Sequence, residues 1–243
     1  MRLTVIGCAP AYTRSGGPSS CYLLEAEGSA VVLDMGQGSF SALSARRAPH
    51  LLDGVLISHL HADHLVDLIP LRHYLTYEAH ASVPLYAPPG LRARMDDFQA
   101  ATDFLSALPG EPLRPGSFVL AGFEVAARHV THIPDSFGFR VARRGGPGLV
   151  YSGDCSNADD LLPLLRRGDT LLCEAALGSD YEAPGALHLT ARQAAAVAAR
   201  SGVARLVLTH VLDAYPEHAV LASARAAFSG EVVLARPGLE VVL

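Results

Sequence analysis

Four side chains able to bind a metal crowd into six residues of the segment Ser58-His59-Leu60-His61-Ala62-Asp63-His64, directly after the apolar run Gly54-Val-Leu-Ile57. A short apolar run of this kind reads as a buried β-strand. A chain leaving the end of such a strand can present its next side chains at the rim of a sheet, where several strand ends meet. His59 and His61 can then project to one side, while Asp63 and His64, at the start of a following helix, face a second point. Imidazole and carboxylate ligands at this density suit zinc, with manganese and iron as the other metals that take N/O sites. The segment therefore demands a fold that carries further ligands to the same rim.

Further ligand-type side chains stand downstream in similar settings, His210 among them. Arg205-Leu-Val-Leu-Thr-His210 echoes Gly54-Val-Leu-Ile-Ser-His59, a strand ending in a hydroxyl residue and a histidine, which suggests two related halves. Any one of these residues alone reads as ordinary hydrogen-bonded structure. Their value is joint, since a two-metal centre, with cations about 3.5 to 4 Å apart, needs several such donors at one place.

No linker or charge run divides the 243 residues, so a single domain over 1–243 is expected. Half of the residues are hydrophobic and 18% are charged, enough apolar surface for a core between sheets and helices. The formal net charge of −5 supplies no basic field for long nucleic acid or an anionic membrane. No apolar stretch reaches the roughly 18 residues of a membrane span, and the N-terminal MRLTVIGCAP reads as a first strand rather than a signal peptide. A cytoplasmic location is the expectation. Cys8, Cys21, Cys155 and Cys173 are scattered without a C-x-x-C pair, so reduced, buried thiols are expected rather than a disulfide framework or thiolate zinc site.

Hydrophobic periodicity predicts strands at 2–6, 20–26, 30–34, 54–58, 83–86, 117–120, 123–129, 137–143, 148–152, 170–173, 205–208 and 231–234. It predicts helices at 65–79, 89–97, 158–166, 190–201 and 217–227. Thr190-Ala-Arg-Gln193 fits a capping box and fixes the start of one of these helices. The loop Ser15-Gly-Gly-Pro-Ser-Ser20 reads as a turn between the first strands, with a phosphate cradle as the alternative.

The motif His59-x-His61-x-Asp63-His64 resembles the signature of the metallo-β-lactamase-fold superfamily, and matching segments follow in order along nearly the whole chain. Leu33-Asp34-Met-Gly-Gln-Gly38 resembles its early motif, in which the Asp braces the metal loop without binding metal. Val130 through Phe139, Tyr151-Ser-Gly-Asp154 and Leu208-Thr-His210 resemble its later motifs. The resemblance implies an α/β fold, a four-layer αββα sandwich of two mixed β-sheets flanked by helices. It implies two metal ions, one on His59, His61 and His132, the other on Asp63, His64 and His210, with Asp154 touching both. It also implies a hydrolase that attacks through a metal-bridging hydroxide, which Asp63 helps to orient. Ser152, Cys155 and Cys173 then have no nucleophilic role and read as packing or supporting residues.

Three features are similar to the phosphodiesterase branch that includes tRNase Z: Pro84-Leu-Tyr-Ala-Pro-Pro-Gly90, the form of 132–139, and His188-Leu-Thr190 before a helix. This similarity implies that His188 gives a proton to the leaving alkoxide and that Glu174 orients it. The long basic arm of the tRNA-processing enzymes has no counterpart in the 21 residues between His132 and Asp154, where Arg140, Arg143, Arg144 and Gly145-Gly-Pro-Gly148 read as a hairpin. The expected substrate is therefore a small phosphodiester, such as a cyclic nucleotide, a dinucleotide or a short RNA end. A lactonase or thioesterase of the same fold, and a non-catalytic metal-binding protein, are the alternatives. A homodimer through the helices around 65–108 is a further expectation. His50, His73, Tyr74, Tyr77, His80, His129 and His218 carry no motif and are left to packing or surface roles.

Overall fold

The computed structural model describes residues 1–13, 17–179 and 185–243. The chain begins with an antiparallel meander, β1 (Arg2–Gly7), β2 (Cys21–Ala26) and β3 (Ser29–Leu33). Helix α1 (Ser39–Ser44) and a 3₁₀ turn (Pro49–Leu51) lead to β4 (Gly54–Leu56), parallel to β3. After α2 (Ala62–Leu65) and α3 (Leu68–Tyr74) comes the short β5 (Leu85–Tyr86), parallel to β4. Helix α4 (Leu91–Phe98) then passes the chain to the second sheet.

That sheet opens with antiparallel β6 (Gly116–Leu120), β7 (Phe123–His129), β8 (Phe137–Arg143) and β9 (Gly148–Tyr151). It continues in parallel through β10 (Thr170–Glu174), β11 (Arg205–Thr209) and β12 (Glu231–Leu234), with α5 (Ala191–Ser201) and α6 (Glu217–Ala227) as crossovers. The last strand, β13 (Glu240–Val242), returns to pair with β1. The orders are β13-β1-β2-β3-β4-β5 and β12-β11-β10-β9-β8-β7-β6, two mixed sheets of six and seven strands.

Period-two alternation sorts the strand residues into layers. Leu3, Val5, Tyr22, Leu24, Val31 and Leu33 face Phe137, Phe139, Val141, Tyr151, Leu172 and Val207 in a core between the sheets. Leu23, Val32 and Val55 point the other way, onto Leu43, Leu68 and Leu71 of α1 and α3. Leu171, Cys173, Leu206 and Leu208 likewise meet Ala194, Val197 and Val220 of α5 and α6. Burial on both faces explains why the parallel strands read as continuous apolar runs. The four-layer sandwich expected from the resemblance is the architecture observed.

Prolines account for the main departures from the expected elements. The helix expected over 65–79 starts earlier and breaks at Val66–Asp67 into α2 and α3, followed by a π-helical turn over Leu75–Ala79. Pro70 has no N–H for the carbonyl of Val66 and would clash with it in a continuous helix. Pro163 has the same effect on the helix expected at 158–166, which is only a 3₁₀ turn, Ala158–Leu161, capped by the Asn157 side chain. Strand β4 stops at Leu56 because the Ser58 N–H donates to the Asp34 carboxylate instead of a ladder. Helix α1 and strand β13 are elements the sequence reading missed. The capping box formed as expected: the Thr190 hydroxyl accepts from the Gln193 N–H, and the Gln193 side chain accepts from the Thr190 N–H. Among the described residues no helix is long and apolar enough to cross a membrane.

Candidate metal centre

Within the first sheet β3 and β4 run parallel, and within the second β7, β9, β10 and β11 do, directly or through antiparallel β8, so each set delivers its C-terminal ends to one side. The last residue of β10, Glu174, and the chain beyond the other ends, with Asp34, His59 to His64, His132, Asp154 and His210, lie there. The two sheets are tied at this rim by the Phe137 N–H, which donates to the Ser58 carbonyl at 2.9 Å. Asp34 and His210 both take the left-handed backbone, with φ of 60° and 58°. Side chains other than glycine seldom adopt it, and it recurs where function holds the backbone in place.

Two groups able to hold a metal ion form here, His59 with His61, His132 and Asp154, and Asp63 with His64 and His210. A third combination, Asp154 with His188 and His210, overlaps both. In the first group His61 Nδ1 lies 3.1 Å from His59 Nε2 and 3.2 Å from His132 Nε2. Asp154 Oδ2 stands 3.6 Å from His59 Nε2 and 3.8 Å from His132 Nε2. In the second, Asp63 Oδ2 is 3.5 Å from His64 Nε2 and 3.7 Å from His210 Nε2. Asp154 reaches this group too, at 3.3 Å from His64 Nε2 and 3.4 Å from His210 Nε2. All seven residues expected at the centre converge, with Asp154 between the groups.

The donor chemistry fits cations. His64 Nε2 and Asp154 Oδ1 are buried with no hydrogen-bond partner. His64 gives its Nδ1–H to Asp34, so its Nε2, turned toward a carboxylate oxygen, carries a lone pair in the neutral ring and a proton in the charged one. Two acceptors at this distance repel unless a positive charge lies between them. The three imidazole nitrogens of the first group, all turned inward, pose the same problem and admit the same solution.

Asp34 holds this arrangement from below and is fully buried. Its Oδ1 accepts from the Ser58 N–H at 2.6 Å. Its Oδ2 accepts from the Ser58 hydroxyl at 2.8 Å, the His64 Nδ1–H at 2.7 Å and the Tyr151 hydroxyl at 2.6 Å. A carboxylate behind a histidine fixes the tautomer and raises the basicity of the inward nitrogen. Two residues on, Gly36 is required by close approach, since a Cβ there would stand 1.9 Å from the Asp63 carbonyl oxygen. The Tyr151–Asp34 and Ser20–His210 contacts were not found from sequence. Ser20 Oγ lies 3.3 Å from His210 Nδ1, and only its place in a Gly/Ser-rich loop pointed near it. Residues 15 and 16 of that loop lie outside the described residues.

Burial sets the electrostatics, and neighbours modify it. Burial pushes the His59 imidazole well below its ordinary pKa, and the adjacent His64 adds to the effect. Burial lowers His61 and His210 as well, so these rings stay neutral and can donate lone pairs. His64 goes the other way: burial opposes its charge, but Asp154 and Asp34 more than offset this and lift it well above its ordinary value. Asp63 is held at about 2, burial being outweighed by the proximity and charge of His64 and by His210. Asp154 lies well below the carboxylate range, burial again being overcome by His210 and His64. The site thus keeps two ionised carboxylates among inward-facing imidazoles.

His188 stands beside the centre, its ring 5.0 Å from His132 and 5.8 Å from His210. Its Nδ1 lies 2.9 Å from Glu174 Oε1. Burial opposes a charge on His188, but this bond and the Glu174 charge raise its pKa above the ordinary value. Glu174 is itself fixed, accepting from the N–H groups of Cys155 and Ala176 at 2.9 and 3.0 Å. Ser152 accepts from the Glu174 N–H, and Cys155 and Cys173 are buried. Elsewhere, His50 bonds the Tyr74 hydroxyl, His73 stacks on Tyr77 and packs edge-on against Phe104, and His129 packs on Phe137.

Known proteins match this arrangement. The β-lactamase superfamily domain matches residues 31–211, the span that contains every residue of both groups. The chain belongs to the metallo-β-lactamase superfamily. Within it, an uncharacterized protein of Mycobacterium leprae is 34% identical over 96% of this chain and 85% of its own length. The crystal structure of the metallo-β-lactamase-fold protein YhfI from Bacillus subtilis superposes with a TM-score of 0.89 at 26% identity, covering 99% of both chains. The short form of human tRNase Z superposes with a TM-score of 0.78 at 25% identity, covering 100% of this chain and 99% of its own. This superfamily member therefore shares its fold with the short form of human tRNase Z as well as with YhfI.

Proposed function

We propose that this superfamily member is a dinuclear metal-dependent hydrolase of small phosphodiesters, such as a cyclic nucleotide, a dinucleotide or a short RNA end, with zinc as the metal. The observation that carries the reading is the His188–Glu174 pair set directly against the His/Asp groups. Hydrolysis of a phosphodiester expels an alkoxide, a poor leaving group that needs a proton as it departs. A histidine backed by a buried carboxylate at the edge of the site suits that task.

In this reading His59, His61 and His132 would hold one cation and Asp63, His64 and His210 the other, with Asp154 within reach of both groups. When bound, such a pair lowers the pKa of a shared water toward neutrality and polarises the oxygen that gains charge. Asp63, ionised and 12% exposed at its side chain, faces the opening and orients the attacking water. Glu174 accepts the His188 Nδ1–H, which leaves Nε2 to carry the proton to the leaving oxygen. The likeness to human tRNase Z supports phosphorus over carbon as the reacting centre. The link between β8 and β9 is only residues 144–147, a turn with no platform for a long nucleic acid, which favours a small substrate.

Turnover by zinc-loaded protein of bis-p-nitrophenyl phosphate, cyclic nucleotides, dinucleotides, lactones and thioesters tests the proposal. Phosphodiester hydrolysis that needs His188 is expected. Turnover of only the lactones or thioesters overturns it.

A further inference from the structure

The two imidazoles of the Asp63–His64–His210 group are held by two buried hydrogen-bonded sets, each of which ends in one of a pair of tyrosines that touch between the sheets. Tyr151 and Tyr22 are fully buried, and their rings meet at 5.0 Å. Tyr151 donates to Asp34 Oδ2, the oxygen that also takes the His64 Nδ1–H. Tyr22 shares a 2.6 Å hydrogen bond with the hydroxyl of Thr209, the residue before His210. Ser20, which also lies against the Tyr22 hydroxyl, reaches His210 Nδ1. Each imidazole thus has its outer nitrogen engaged by an oxygen that a core tyrosine fixes in turn.

The other group is held differently. His132 gives its Nδ1–H to the Leu187 carbonyl, a backbone atom of the segment that precedes His188. His59 leans on the Ser58 hydroxyl at 3.0 Å and reaches Asp34 only at second hand, through that hydroxyl. The charges differ as well. Asp63 and Asp154 both pair with the His64 and His210 imidazoles, with Asp34 behind His64, whereas Asp154 pairs with His59 and His132 and Asp63 adds a weaker charge at His61.

We propose that Tyr151 and Tyr22 are positioning residues for the Asp63–His64–His210 half, and that the first cation to bind occupies this half. Fixed outer nitrogens remove the cost of ordering the ligands, and the extra carboxylates add attraction in a buried site. The inference rests on the metal-centre part of the proposed function and not on its substrate. Zinc binding without substrate therefore tests it separately.

The experiment strips metal from the protein and measures zinc affinity by competition with a chromophoric chelator, with folding of the metal-free form followed by circular dichroism. The wild type is expected to bind two equivalents, one tighter than the other. His61→Ala should lose the weaker equivalent and keep the tighter. Tyr151→Phe and Tyr22→Phe should each weaken the tighter equivalent about tenfold, the lower end for a group that supports a ligand, and leave the weaker within about twofold. Should either core variant fail to fold, Ser20→Ala, which removes only the hydroxyl on His210, is expected to weaken the same equivalent. Loss of the tighter equivalent in His61→Ala overturns the proposal. So do unchanged affinities, or equal weakening of both equivalents, in the tyrosine variants or in Ser20→Ala. Absence of any zinc binding would instead remove the metal centre on which the proposal stands.

Discussion

His64 and His132 face the same space from opposite sides and are supported in opposite ways. Behind His64 stands a carboxylate that accepts four hydrogen bonds inside the core, one of them from a tyrosine of the other sheet. Behind His132 stands the Leu187 carbonyl, in the segment that also carries His188. The first support is built from strands and packed side chains, so it is as rigid as the sandwich. The second links a residue of the metal groups to the segment that bears the proposed proton donor. One half of the site is thus organised to retain a cation, and the other to bring acid–base chemistry beside it.

The sharpest way to break this division is Asp154→Ala, because the Asp154 carboxylate reaches imidazoles of both halves. Both zinc equivalents and all phosphodiester hydrolysis should disappear, measured by metal analysis and a bis-p-nitrophenyl phosphate assay. Retention of either equivalent at wild-type affinity would mean the halves do not share it. Asp34→Ala strips the acceptor from four buried donors, one on a ring that the site tends to charge. It should cost roughly 3–5 kcal/mol in denaturant unfolding of the metal-free protein. A change under about 1 kcal/mol would show that Asp34 does not brace the His64 half.

His188→Ala tests the other half. The turnover number should fall about 10²- to 10⁴-fold, the range for loss of a general acid, while both zinc equivalents remain. Loss of zinc in this variant would make His188 a metal ligand, as its place in a group with Asp154 and His210 also allows. The smallest effect concerns the thiols of the surrounding core. Burial pushes the Cys155 thiol up to about 12 and lifts Cys21 and Cys173 above their ordinary range. A raised thiol pKa means that the thiolate, the reactive form, is scarce at pH 8. Alkylation of the folded protein at that pH should spare these three and reach them after denaturation. Rapid labelling of Cys155 would show that the core beside Glu174 opens readily.

Much of the centre was legible in the sequence because local order and ligand chemistry coincide there. A strand of the length of Gly54–Leu56, followed by His59, His61, Asp63 and His64, can do little else than present a metal-binding rim. The echo of that pattern at Arg205–Thr209 placed His210 at an equivalent strand end in the other sheet. The capping box at Thr190 was readable for the same reason, since its two bonds span only three residues. The breaks at Pro70 and Pro163 were overlooked even though both prolines are in plain view, because apolar periodicity runs on through them.

The sequence by itself determined which residue types were available, their order along the chain and the strands that would carry them, because those follow from periodicity and local hydrogen bonding. Tertiary structure alone decided that Asp34 meets Tyr151, 117 residues away, and that Ser20 meets His210, 190 residues away. The pairing of two sheets fixes such contacts, since the facing of one strand end to another depends on register and layer packing that no local pattern encodes. The physical reason is the same for the buried lone pairs of His64 and Asp154: only the folded chain removes the water that would otherwise satisfy them, and so creates the place for a cation.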